Sequence, residues 1–205
     1  MTSVIQAGDV LQVAWTDGNW LFLDAGFSNK SRSCGLLVRD EAPRRVRFGE
    51  AVKEITEQIS KSRSPLNLVI EAPLSVCFDQ DGNPKRRRIE QEKGKSRYWY
   101  CGAGCSVMVA AMYLIRAIHQ SKPPVAVRLF EGFISFKKLG EVSSHESDVL
   151  SLRDVVQNTN RSPGLIYSPD ELKEVASDKI ISAFAVAGLD CGIPPVIKPA
   201  PVSAA

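Results

Sequence analysis

Four acidic residues stand at the boundaries of apolar segments: Asp24 in "FLDAG", Glu71 in "VIEAP", Glu131 in "LFEGF" and Asp178 in "ASDKIIS". Carboxylates brought together in a partly buried pocket repel one another strongly, so one must hold a proton or a cation must lie between them. Mg2+, hard and octahedral, suits a few carboxylates with water and phosphate oxygens completing the shell, and Mn2+ is its usual substitute. An ion so held activates water and stabilises the charge that develops on a phosphodiester. Each acid also has a plainer use. Acids at strand ends form turns and caps, Asp178 favours a helix N-terminus, and Glu131 has Lys137 and Lys138 nearby in sequence.

The elements that must position these residues follow from periodicity. "VLQVAW" and "NWLFLDAG" flank "TDG" and predict a hairpin, and "SCGLLVRD" and "PRRVRFG" continue it as an antiparallel meander. In "EAVKEITEQISKS" the apolar Val52, Ile55 and Ile59 recur at helical spacing against a charged face, which predicts an amphipathic helix. "PLNLVIEAPLS", arriving after that helix, reads as a buried strand parallel to the first. A second helix over Cys101 to Gln120 is apolar nearly all round and is expected to be well buried. "PPVAVRLFEGF" predicts a fifth strand, and "ESDVLSLRDVVQ" a helical piece. In "SPDELKEVASDKIISAFAVAGLD", Ser168 with Glu171 three residues on predicts a capped last helix carrying Asp178. A single domain over 1–193 is expected, with a polar insertion at about 79–98 and a proline-rich tail at 194–205.

Composition narrows the class. No window approaches the roughly 20 apolar residues of a membrane span, and the N-terminus lacks a signal-peptide pattern. Five unevenly placed cysteines argue for a reducing compartment, hence the cytoplasm. The net charge of +3 is concentrated in "PKRRRIEQEKGKSR", where seven basic and two acidic residues give +5 and leave the rest at −2. Such a patch points to a polyanion, although runs of this kind are more often simply solvated. Lys85, Arg86, Arg87, Arg88, Lys93, Lys95 and Arg97 are its candidate contacts to a nucleic-acid backbone, DNA or RNA. Tyr98, Trp99 and Tyr100 beside them can stack on bases or anchor the loop. Cys101 and Cys105 open a helix but lack partners at zinc spacing. His145 in "SHESD" can assist the water or product release in a two-metal nuclease, or belong to an exposed turn in which Ser147 caps the next helix.

The order strand-strand-strand-helix-strand-helix-strand-helix, with acids on the first strand, the fourth strand and the last helix, resembles the ribonuclease H-like fold. It looks most like the RuvC-type resolvase branch, in which the last-helix acid joins the other two. "FLDAG", "VIEAPLS", "RLFEGF" and "SDKIISAFAVAGL" are similar to signatures of a family of domains of unknown function counted as nucleases of this fold. Their acids correspond to Asp24, Glu71, Glu131 and Asp178, over about residues 18–190. Glu71 departs from the Asp usual in that family, and Lys179 replaces a small residue after Asp178. The resemblance implies a mixed five-stranded sheet flanked by helices, with Asp24, Glu71 and Asp178 holding Mg2+ and Glu131 as a further catalytic acid. It implies a metal-dependent nuclease. The alternative is an inactive nucleic-acid-binding or assembly subunit of the same fold, working with a protein partner or a second copy of itself.

Overall fold

A computed structural model describes residues 4–26, 28, 31–92, 95–96, 103–134, 144–161, 164–185 and 188–200. Among these residues, thirteen strands and three α-helices follow in chain order: β1 (Ile5–Ala7), β2 (Asn19–Asp24), β3 (Cys34–Val38), β4 (Arg44–Val46), α1 (Phe48–Lys61), β5 (Leu66–Glu71), β6 (Ser75–Phe78), β7 (Pro84–Lys85), β8 (Gln91–Glu92), β9 (Lys95–Ser96), α2 (Ala103–Gln120), β10 (Val127–Gly132), α3 (His145–Gln157), β11 (Ile166–Tyr167), β12 (Lys179–Ser182) and β13 (Val196–Ile197). The main sheet is mixed and has eight strands rather than five, in the order β11-β13-β10-β5-β2-β3-β4, with β1 also on β10. β5 runs parallel to both β2 and β10, as expected of a strand reached through a helix, while β3 is antiparallel to β2 and to β4.

The central strands are apolar on both faces because both are covered. Leu21 and Leu23 of β2, with Leu68 and Ile70 of β5, face α1 and α2, where Ile55, Ile59, Leu114 and Ile118 meet them. Trp20 and Phe22, with Val69 and Phe130, face α3 and its Val149, Leu152, Val155 and Val156. Gly132 makes room for this packing, since a Cβ there would stand 2.8 Å from Leu152 Cδ1. α2 is not buried all round: Val109 and Tyr113 are exposed. Among the described residues, no helix is long and apolar enough to cross a membrane.

Three segments differ from their sequence-based expectation. "VLQVAW" is not a strand. Asp9 accepts from the Leu11 N–H at 2.8 Å and the Gln12 side chain accepts from the Asp9 N–H at 3.0 Å, which closes a 3-10 turn over Val10–Gln12. Among the described residues the last helix is also absent. The Ser168–Glu171 cap is present, but it closes only the 3-10 turn Pro169–Leu172. The β-branched Ile180 and Ile181 then pair with the edge of β6, so Asp178 precedes a strand instead of opening a helix. Finally, the tail enters the main sheet: Val196 and Ile197 are fully buried and pair with the end of β10.

Candidate metal centre

Asp24 and Glu71 are register partners at the ends of parallel strands β2 and β5. Their position in the alternation matches Phe22 and Val69, which places both on the α3 face. The neighbour of Asp24 on the other side is Gly35 of β3, and that glycine lets α3 come down onto the sheet. A Cβ on Gly35 would stand 2.7 Å from the His145 carbonyl carbon and 3.1 Å from the His145 Cβ, closer than packed carbons come. α3 therefore begins directly over the strand beside Asp24. Ser144 caps it, accepting from the Ser147 N–H at 3.1 Å, so the cap is Ser144 and not Ser147.

This docking brings His145 Nδ1 to 2.7 Å from Asp24 Oδ2. Asp148, three residues on and hence on the same helical face, completes a group. One ligand atom from each of Asp24, His145 and Asp148 lies within 4.8 Å of the others. Asp24 and Asp148 are buried, while the His145 side chain keeps 33% of its surface exposed. The hydrogen bond to Asp24 raises the His145 pKa above its ordinary 6.5; burial and the Arg45 charge oppose this, and Asp148 adds to it. Two carboxylates and an imidazole converging on one point can hold a divalent ion.

The other sequence-predicted acids sit elsewhere. Glu131 pairs in register with Ile70, on the α1–α2 face, opposite to Asp24. It is fully buried and ion-paired: Arg87 Nη1 donates to Glu131 Oε2 at 2.8 Å, Arg87 Nη2 stands 2.8 Å from Oε1, and the Leu74 N–H donates to Oε2 at 2.8 Å. Asp178 stands immediately before β12, a strand of the small sheet β12-β6-β7. It lies four residues before Ser182, which pairs with Ser75; at about 3.3 Å per residue, it is about 13 Å down the strand from that end. Its carboxylate receives Lys85 Nζ at 3.1 Å and the backbone N–H groups of Glu174 and Val175 at 3.0 and 3.1 Å. Burial acts to raise its pKa, but the Val175 N–H, the Lys85 ammonium and the Glu174 N–H outweigh it, and the pKa is lowered. The Asp24–Glu71–Asp178 set is thus not assembled. The helix acid beside Asp24 is Asp148.

Three residues of the basic run, Lys85, Arg86 and Arg87, are engaged internally. Arg87 is buried, its Nε donating to Glu90 Oε1 at 2.9 Å and its Nη1 to Ser75 Oγ at 3.0 Å, so it offers nothing to a phosphate. Lys85 pairs with Asp178 and, at 3.2 Å, with Glu174; Arg86 donates to Glu174 at 2.6 Å. Arg88 is exposed. Lys95 falls in β9, and Lys93, Arg97, Tyr98, Trp99, Tyr100 and Cys101 lie outside the described residues.

His145 and Asp148 carried a signal in the sequence. A histidine and an acid three apart at the start of an amphipathic helix share one face, whereas the stronger capping pattern farther on, at Ser168, closes only a 3-10 turn. No family model, curated protein or solved structure among those compared with this chain matches it.

Proposed function

We propose that this protein is a divalent-metal-dependent nuclease with a ribonuclease H-like core. The observation that carries the reading is the convergence of Asp24, His145 and Asp148 within 4.8 Å. The order of elements supports it: β4-β3-β2-β5-β10 in space, with α1 between β4 and β5, α2 between β5 and β10, and α3 after β10. That order agrees with the one the resemblance expects, with acids on the first strand (Asp24) and the fourth (Glu71); on the helix after β10 the acid is Asp148, where the resemblance expects Asp178. β1, β11 and β13 are additions at the β10 edge.

In this reading Asp24, Asp148 and His145 hold the ion, and Glu71 stands alongside as the register partner of Asp24. Mg2+ or Mn2+ bound there supplies a Lewis acid for the phosphodiester and lowers the pKa of a water nucleophile. The chain's own contribution is positional. Gly35 fixes α3 on the sheet, β2 and β5 fix the two strand-end acids, and burial keeps the carboxylates from spreading into solvent. A second reading, a nucleic-acid-binding subunit without catalysis, is favoured by the 2.7 Å His145–Asp24 contact, since a protonated imidazole neutralises that carboxylate without any ion.

The test is cleavage of labelled single- and double-stranded DNA and RNA in Mg2+ and in Mn2+, with calorimetric Mn2+ titration alongside. The nuclease reading expects cleavage and Mn2+ binding in the wild type and loss of both in Asp24→Asn and Asp148→Asn. Nucleic-acid binding that is equal in wild type and Asp24→Asn, with no cleavage of any substrate, selects the binding subunit. A wild type that binds neither Mn2+ nor nucleic acid refutes both.

A further inference from the structure

The row of register partners that holds the candidate metal centre does not stop at Gly35. Gly35 pairs with Arg45 of β4, the edge strand on that side. Glu71, Asp24, Gly35 and Arg45 therefore stand side by side across four strands, with their Cβ directions on the α3 face. Two strand spacings put the Arg45 Cα about 10 Å from that of Asp24, and its side chain meets Glu146, the residue after His145 in α3.

Arg45 and its neighbour Arg44 have different surroundings because successive strand residues point to opposite faces. Arg44 turns to the α1 face, where it donates to Glu54 and stands 3.7 Å from Glu41. Arg45 turns to the site. Its side chain is 52% exposed, and its contact to Glu146 is loose, Nε to Oε1 at 3.9 Å. Glu146 Oε2 is buried and makes no hydrogen bond. An arginine held this weakly at a solvent-facing edge is ready to exchange its carboxylate contact for a stronger one.

The chemistry of the site calls for such a group. The site gathers the Asp24 and Asp148 carboxylates beside His145, and an approaching phosphodiester brings a further negative charge. A phosphodiester approaching it needs further positive charge, which the 85–88 segment largely spends on Glu174, Asp178, Glu90 and Glu131. A guanidinium presents a planar fork of donors that matches phosphate oxygens two at a time.

We propose that Arg45 is a phosphate-binding residue of this site: a nucleic-acid strand enters across the β4 edge, a backbone phosphate beside the scissile one resting on the Arg45 guanidinium. The path of the substrate thus runs over β4 and the start of α3, and not over the paired residues Lys85, Arg86 and Arg87. This rests on the nuclease reading for the identity of the ligand.

The test separates binding from cleavage. Binding of fluorescent single-stranded and duplex oligonucleotides is measured by anisotropy in EDTA over a salt series, on the Asp24→Asn background. Arg45→Gln is expected to weaken binding about tenfold, the loss of one charged hydrogen-bonded contact. It should also reduce the slope of log affinity against log salt by about 0.7–0.9, the signature of one phosphate lost. Arg45→Lys, which keeps the charge and loses the fork, should restore the slope while recovering only part of the affinity. Arg88→Gln should change the slope less than Arg45→Gln. Unchanged affinity and slope in Arg45→Gln, or no binding by the parent protein, overturns the proposal. If Arg45→Gln binds as the parent does while the wild type cleaves, only the Arg45 role falls. If Arg45→Gln loses a phosphate contact while the wild type cleaves nothing, the Arg45 role stands and the nuclease reading falls.

Discussion

Replacing Arg87 by Met should be among the most damaging single changes outside the apolar core, and its cost follows from the charges around it. One buried guanidinium faces two buried carboxylates, Glu131 and Glu90, at 2.8 and 2.9 Å. Burial already pushes the Glu90 pKa up, and Arg87 is what holds that rise in check. Without Arg87, both acids must ionise unpaired or take up protons, and breaking a buried ion pair from one side costs about 3–5 kcal/mol. That is a large share of the roughly 5–15 kcal/mol by which domains are stable. With a urea slope of about 2 kcal/mol/M, the midpoint should fall by about 2 M. Glu90→Gln should cost the least of the triad, because it leaves one carboxylate for one guanidinium. Glu131→Gln should fall between, since it also weakens the acceptor for the Leu74 N–H. Glu131→Gln should leave Mn2+ affinity unchanged, because Glu131 and Asp24 lie on opposite faces of the sheet. Urea titration followed by tryptophan fluorescence reads the order. An Arg87→Met midpoint indistinguishable from wild type, or a Glu90→Gln cost equal to that of Arg87→Met, would refute this account of the triad.

Gly35→Ala inserts a methyl group where the His145 backbone lies, so it should cost about 1–3 kcal/mol in stability, as overpacking does, and weaken Mn2+ binding in the same titration. Because an imidazole joins two carboxylates, the site should bind Mn2+ more tightly than Mg2+, and His145→Ala should shrink that preference in competition calorimetry. His145 has a raised pKa, so in the metal-free protein its bond to Asp24 contributes stability that is fully present below pH 6.5 and is lost as pH rises through the raised value. Thermal melts across that range should show the loss in the wild type and not in His145→Gln. The same proton competes with the ion, so Mn2+ affinity should fall as the pH is lowered through that window. Leu152→Ala, in the core between α3 and Gly132, should cost about 2–5 kcal/mol by chemical denaturation.

Segments with one dominant period were legible in the sequence. Ile55 and Ile59 at helical spacing mark α1, and the unbroken apolar runs of β2 and β5 mark strands covered on both sides. Asp24 and Glu71 could be placed together because a strand, a helix and a parallel strand leave their ends at one edge. The region after α3 was harder, since its local and long-range signals conflict. Ser168 and Glu171 form a real cap, yet the chain leaves the helical path within one turn because β6 offers Ile180 and Ile181 an open edge. The positive run at 85–88 misled for a related reason. Charge can be counted in a sequence, but its pairing with Glu174, Asp178 and Glu131, some 45 to 90 residues away, is settled only by the fold. That Asp148 joins Asp24 is not legible near either residue, because nothing there announces that Gly35 will seat the helix on β3.

The edge of β10 is shared by two short pieces from distant parts of the chain. β1 covers Val127 to Leu129, and β13 covers Glu131 and Gly132. Both closures span very long loops, which makes them entropically slow to form. Until they form, the central sheet presents an open ladder, and removal of either piece re-exposes half of it. A chain shortened at either side should therefore tend to associate edge to edge with others of its kind, so expression tags and truncations that disturb residues 5–7 or 196–197 invite aggregation even though both lie on the opposite side of the sheet order from β4.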